Sequence, residues 1–186
     1  MLPGGVLAIT SCEPNSQSAV KFVAARHDSD PQALVAYRAS SLAARRFAWP
    51  MGLALTNDGL LVCSYLDSST AMFKFATDGS MDELATVPAL ADYDRGFSGC
   101  AVHQQTQRTY AIGENAYGNQ ALVLLDANLQ VVATVEATGD VPEDFEGDDE
   151  PICDVAVHGD QVIVLTSDHH AEGSGLRLLD LDGRFL

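Results

Sequence analysis

The sequence predicts an all-β protein: a β-propeller built of four four-stranded antiparallel blades, closed as a small ring or forming an open arc of a larger propeller. Two observations carry this reading. Short apolar runs rich in Val and Leu alternate with turn residues along the 186-residue chain, without sustained helical spacing. The pattern also repeats. Val6-Leu7-Ala8-Ile9, Gly52-Leu53-Ala54-Leu55, Gly99-Cys100-Ala101-Val102 and Asp154-Val155-Ala156-Val157 align at spacings of 46, 47 and 55 residues, a period typical of propeller blades.

Each copy supplies the same succession of strands. The second strand reads Val20 to Ala25, Leu60 to Tyr65, Thr109 to Gly113 and Gln161 to Thr166. The third is clearer still, because Gln32-Ala33-Leu34-Val35 and Gln120-Ala121-Leu122-Val123 begin identically, with Ala71 to Phe75 and Gly175 to Leu179 in the same place. Asp78-Gly79, Asn128 and Asp182-Gly183 join the third strand to the fourth, and such residues tolerate the positive φ of hairpin turns. The fourth strand is the weakest: Leu42 to Arg46, Leu84 to Val87, Val131 to Val135, and finally Arg184-Phe185-Leu186 alone. Ser41 to Arg46 is the one segment with helical character, and it is too short to change the class. Blades are therefore expected at about 5–47, 51–90, 98–136 and 152–186, with an acidic loop inserted at 140–151.

The second copy has Pro50-Met51-Gly52-Leu53-Ala54-Leu55, Asp58-Gly59, Leu60-Leu61-Val62, Phe73-Lys74-Phe75 and Asp78-Gly79. It closely resembles the NHL-type repeat and its bacterial propeller relatives. The third copy, with Val123-Leu124-Leu125-Asp126 and Val131 to Val135, is similar to the YVTN-type variant. No Gly-His or Trp-Asp pair marks the blades as WD-type. The resemblance spans nearly the whole chain and rests on structural residues, so it implies fold rather than activity. Families of this shape include protein-binding modules, lactonases and other enzymes. Four units are fewer than the six or seven usual there, and an unclosed arc leaves strand edges able to pair with another chain. The chain is thus a fragment of a longer propeller, a part that completes itself by oligomerising, or a four-bladed ring.

Acidic residues number 26 against 10 basic ones, for a net charge of -16. That field repels nucleic-acid backbones and anionic lipid surfaces and favours cations or a basic partner. No apolar run approaches the roughly 20 residues of a membrane helix, and Met1 to Gly5 does not read as the start of a secretory signal. The compartment is left open, with a lean to the cytoplasm. Cys12, Cys63, Cys100 and Cys153 lie far apart without a Cys-x-x-Cys pair, and the three in apolar runs are expected as buried thiols.

In a propeller, the links from strand two to three and from blade to blade share one face. Here that face collects much of the negative charge. Asp28, Asp67, Glu114 or Asn115, and Asp168 follow successive second strands, and hard oxygens so placed suit calcium. The gluconolactonase-like propellers that the repeat resembles hold a metal in this way. The same residues also serve as acceptors for backbone N–H groups of their own links. His169 and His170 beside Asp168 are ligand types for zinc or copper, but adjacent rings in an extended link point apart. The insertion carries seven carboxylates and two prolines around Phe145. It reads as a solvated loop, as a dock for a basic partner with Phe145 as anchor, or as a calcium site. Its Asp144-Phe145-Glu146-Gly147 resembles the Asp-x-Glu-Gly of phytase-like esterase propellers, although Asp148 to Pro151 intervene before the next strand. Trp49 and Tyr93, with Phe47, form either an aromatic rim for a ligand or wedges between blades. His103 and His158 share a repeat position with Thr10 and Thr56, as polar residues opening a hairpin.

No Ser-His-Asp order stands out as a catalytic triad, and no Gly-x-Ser-x-Gly elbow or phosphate-cradling glycine loop is present. The leading expectation is a module that binds a protein, peptide or glycan on its acidic face. The alternatives are a calcium-dependent hydrolase of lactonase or esterase type and a structural subunit of a larger assembly.

Overall fold

The computed structural model describes residues 6–11, 19–24, 36–38, 49–65, 70–77, 82–136, 152–166 and 175–186. Its strands are β1 (Val6–Ser11), β2 (Ala19–Ala24), β3 (Ala36–Arg38), β4 (Trp49–Leu55), β5 (Leu60–Tyr65), β6 (Thr70–Phe75) and β7 (Glu83–Pro88). They continue as β8 (Phe97–His103), β9 (Arg108–Glu114), β10 (Gln120–Leu125), β11 (Val131–Glu136), β12 (Ile152–His158), β13 (Gln161–Thr166) and β14 (Gly175–Leu179). Among the described residues there is no helix, and the strands form four antiparallel sheets in chain order: β1–β3, β4–β7, β8–β11 and β12–β14. Every neighbour within a sheet is also a neighbour in sequence, so each sheet is a meander.

The all-β class and the succession of four antiparallel sheets agree with the sequence pattern, and the strand count differs in the last sheet. Only the second and third sheets have four strands. Residues 39–48, where a fourth strand of the first unit is expected, lie outside the described residues. In the last sheet the expected fourth strand is reduced to a bridge between Leu179 and Phe185, because three residues after the turn offer too few ladder bonds for a strand. The sheets do not close into a ring among the described residues.

The first strands β4, β8 and β12 begin two or three residues before the aligned motif, whereas β1 begins with it. The register slips between Pro50 and Leu53, between Phe97 and Gly99, and between Ile152 and Asp154, the same place in three sheets. A bulge there bends the leading end of the strand and adds twist. Successive first strands lie against each other, β1 on β4, β4 on β8 and β8 on β12. At the β4–β8 contact a Cβ built on Gly52 would sit 2.7 Å from the Gly99 Cα, so glycine there permits backbone contact between sheets.

The core fills the two gaps between the last three sheets. Leu61, Cys63, Met72, Val87 and Phe97 pack with Ala111, Val123 and Leu125 of the third sheet. From its other face, Tyr110, Ile112, Leu122 and Leu124 pack with Ile152, Val155, Val162, Val164 and Leu179 of the fourth. Of the expected buried thiols, Cys63 is buried and Cys100 half-buried, whereas Cys153 is exposed because it lies at the bulge of β12. Burial, and then the neighbouring Cys100 thiol, push the Cys63 thiol above its ordinary range.

Polar contacts lock neighbouring sheets in register. The Gln104 side chain donates to Leu55 O at 2.8 Å, and Gln107 Oε1 accepts from Asn57 N at 2.7 Å, joining two adjacent hairpins. Arg108 donates to Leu181 O and, at 2.8 Å, to Asp182, while the Tyr110 hydroxyl donates to Leu181 O at 2.8 Å. His103 is buried and meets Thr106 of its own hairpin at 2.7 Å, in keeping with a hairpin-opening role. In the turns after the third strands, Asp126 Oδ1 accepts from Asn128 N and Gln130 N, and Asp180 Oδ1 accepts from Asp182 N and Arg184 N, each at 2.9 Å. The positive φ falls on Leu129 (63°) and Gly183 (83°), one residue beyond the expected Asn128 in the third unit. Leu129 is buried in the core, and that burial offsets the strain of a left-handed leucine.

Gly96 carries the tightest constraint, with φ +86° and a virtual Cβ only 2.3 Å from Ser64 O; Gly118 has φ +87° with nothing within 4 Å. Gly118→Ala is therefore expected to cost about 1 kcal/mol, and Gly96→Ala at least about 2 kcal/mol more through backbone overlap. Urea unfolding of the two variants measures the difference, and equal losses would refute the close contact.

Candidate functional site

The second strands β5 and β9 are buried along most of their length, and their last residues, Tyr65 and Glu114, stand at the end of the sheets where the acidic links are expected. The chain between β7 and β8 crosses this end. It turns at Leu90 to Tyr93, and Gly96 bridges to Tyr65 while exchanging backbone bonds with Glu114, through Glu114 N to Gly96 O at 3.2 Å and Arg95 N to Glu114 O at 3.1 Å. The required glycine conformation at residue 96 thus carries Arg95 over the Glu114 carboxylate.

Three side chains converge on that carboxylate. The Tyr65 hydroxyl donates to Glu114 Oε1 at 2.6 Å and Arg95 Nη1 donates to the same oxygen at 2.9 Å. Gln120 Nε2 donates to Oε2 at 2.9 Å. Glu114 is buried, Arg95 lies at the rim, and the Gln120 Oε1 is a buried acceptor without a partner among the described residues. Burial, then the hydrogen bond to Glu114, raises the Tyr65 phenol above its ordinary value of 10.0. The bonds to Tyr65 and Glu114 hold the Arg95 guanidinium still more firmly protonated. A carboxylate with a phenol, an amide and a guanidinium upon it is a charge-assisted network of the strong kind. Its two oxygens accept three protein donors.

Asn115 is equally committed, since its Oδ1 accepts from Tyr117 N at 2.9 Å and Asn119 N at 3.0 Å and shapes the link to β10. Asp94 Oδ1 accepts from Ala116 N at 2.9 Å and ties the crossing segment to that link. In the described structure Glu114 faces a guanidinium, and Asn115 closes its own turn. Among the described residues no three His, Cys, Asp or Glu side chains converge as metal ligands. Trp49 is exposed, at the start of β4 opposite Tyr65, and so belongs to a strand rather than to the preceding link. Tyr93 is half-buried, with its ring against Gly113 and the core, where a Cβ on Gly113 would come within 3.1 Å of it. Asp28, Asp67, Asp168, Asp144, Phe145, Glu146, His169 and His170 lie outside the described residues. Tyr65, Arg95 and Gln120 carried no motif in the sequence. Tyr65 and Gln120 stand at the ends of strand runs, and Arg95 stands in the link before β8.

The fold and this centre define a series of antiparallel sheets held at one end by a buried carboxylate. No protein-family model matches the chain, and no curated protein matches it. Among solved structures it is similar to apo AztD from Citrobacter koseri, at 10% sequence identity and a TM-score of 0.37. That match covers 98% of this chain and 59% of the AztD chain, so the chain spans about three-fifths of that protein's length. So loose a superposition says nothing about what either protein binds.

A phenol raised in the fold stabilises the protein fully below its unfolded pKa near 10, and the contribution is lost as pH rises through the folded value. Tyr65→Phe should cost about 1 kcal/mol near neutral pH and flatten the fall of stability above pH 10. Tyr110, also raised by burial, accounts for part of the remaining slope. Denaturant unfolding across the alkaline range checks this; an unchanged pH profile in the variant would remove Tyr65 from the network.

Proposed function

We propose that this chain is a non-catalytic binding module, an arc of NHL-like propeller blades whose acidic loop end docks a basic segment of a protein or peptide. The supporting observation is the Glu114 centre. Where the end of the sheets is described, the Glu114 carboxylate and the Asn115 amide oxygen brace the links, which favours a rigid frame over a ligand cage. The negative charge that remains, above all the seven carboxylates of 140–150, is available as a field. Such a field draws a cationic partner from a distance and rejects like charge at short range. Phe145 within the acidic run supplies an apolar anchor of the kind that gives a charged dock its residence time.

Fluorescence anisotropy with a labelled Lys/Arg-rich peptide tests this reading. Affinity should fall at least about tenfold between low and physiological salt, and should fall again in an Asp144→Asn, Glu146→Gln, Asp148→Asn, Asp149→Asn variant that keeps its fold. Calcium should leave the thermal midpoint unmoved. A calcium-dependent rise in that midpoint, abolished by Asp28→Asn or Asp168→Asn, would overturn the reading in favour of a metal site. Equal affinity for a neutral glycan would move the partner class from basic peptide to carbohydrate.

A further inference from the structure

Two thiols meet where the second and third sheets pack together. Cys63 lies on β5 and is fully buried, and Cys100 lies on β8 and is half-buried. Both belong to the core that fills the gap between these sheets, where β5 packs directly on β8. The two thiols share a hydrogen bond.

The bulges of the first strands bring them together. On β4 the register passes from Pro50 opposite Ser64 to Leu53 opposite Val62, so Met51 and Gly52 both stand opposite Cys63. On β8 it passes from Phe97 opposite Gly113 to Gly99 opposite Ile112, and Cys100 follows at once, opposite Ala111. A Cβ at Gly52 would lie 2.7 Å from Gly99 Cα and 3.1 Å from Cys100 N. With no side chain at residue 52 to hold the sheets apart, Cys63 reaches Cys100. A disulfide requires close strands as well as facing thiols, and the packing of β5 on β8 supplies the first.

We propose that Cys63 and Cys100 are a redox pair that closes to a disulfide joining β5 to β8, with a small organic disulfide as the oxidant. Exposure sets the order of events. Cys100 Sγ, as the thiolate, attacks one sulfur of the oxidant, which forms a mixed disulfide and releases one small thiolate to take up the proton that Cys100 lost. Cys63 Sγ then gives up its proton and attacks the Cys100 sulfur, expelling the second small thiol. Two protein thiols and one small disulfide thus become one protein disulfide and two small thiols, so atoms and electrons balance. Cys63 is shielded from any reagent by its burial and meets only Cys100. The closed loop contains β6, β7 and the segment that carries Arg95 over Glu114, so the bridge ties the second sheet to the third and braces the acidic end.

Incubation of the whole chain in glutathione buffers of rising oxidised-to-reduced ratio, followed by acid quench, alkylation and peptide mapping by mass spectrometry, tests the proposal. The linked Cys63–Cys100 peptide should be the first and main protein disulfide, with Cys12 and Cys153 recovered alkylated or joined to glutathione. The oxidised chain should unfold about 5–10 °C higher, because the cross-link restricts the unfolded state. Cys63→Ala leaves Cys100 without its resolving partner and should stall as a glutathione adduct at Cys100. Cys100→Ala is the milder substitution, since its site is half-buried, and should leave Cys63 reduced in the folded chain. A lasting glutathione adduct at Cys100 of the unsubstituted chain would overturn the pairing, as would a main bridge through Cys12 or Cys153. The same mixture of bridges from folded and urea-unfolded chain would show that the fold does not select the pair. An oxidised chain that melts no higher would refute the brace.

Discussion

A sheet whose central strands are apolar at every position cannot leave one face in water, and the described structure follows largely from this constraint. Strands such as Leu60-Leu61-Val62-Cys63 and Ala121-Leu122-Val123-Leu124-Leu125 place large apolar side chains on both sides of the pleat. At roughly 25 cal/mol per Å² of apolar surface, a second covering sheet is worth as much as the first. Sheets therefore stack in series, and the approach is limited by backbone, as the Gly52 contact with Gly99 shows.

Stacking of this kind sends polar chemistry to the ends of the strands. Glu114 is the first residue of β9 able to reach beyond the packed region, yet it remains buried because the crossing segment from β7 to β8 lies over it. A buried carboxylate is costly unless its oxygens are satisfied, and Tyr65, Arg95 and Gln120 satisfy them. The electrostatic demand of one carboxylate thus fixes the path of the link and the place of Arg95. It also explains why an acidic residue in a position suggestive of a ligand serves as a brace.

At the opposite end the hairpins use shorter-range devices. Lys74 is nearly buried beneath the 56–59 turn, and its ammonium meets Asp58 at 2.7 Å, which holds the Asp58 carboxyl below the usual carboxylate range. Asp182 is likewise held low by Arg108 of the preceding sheet. Both pairs join a turn to a strand, one within a sheet and one between sheets, so turn geometry and sheet packing are coupled. Exposed pairs of this kind contribute little energy individually. Their value is in register, since they fix which turn faces which strand.

The sequence alone determined the all-β class, the order of four units and most strand positions. A period near 47 residues and alternating apolar runs are local properties, and backbone hydrogen bonding converts them directly into meanders. Turn residues such as Asp182 and Gly183 were legible for the same reason. The repeated bulge in the first strands was hidden, because a register slip is decided by the partner strand and not by the residues that slip. The Glu114 centre was half legible. The carboxylate was visible as a polar residue ending an apolar strand, but its partners Tyr65 and Arg95 lie 49 and 19 residues away in the chain. Only tertiary structure could show which side chains bind that carboxylate. Only tertiary structure, too, could show the fourth sheet covered on one face alone, because Val164 and Leu165 read alike in sequence and differ solely in what lies across from them.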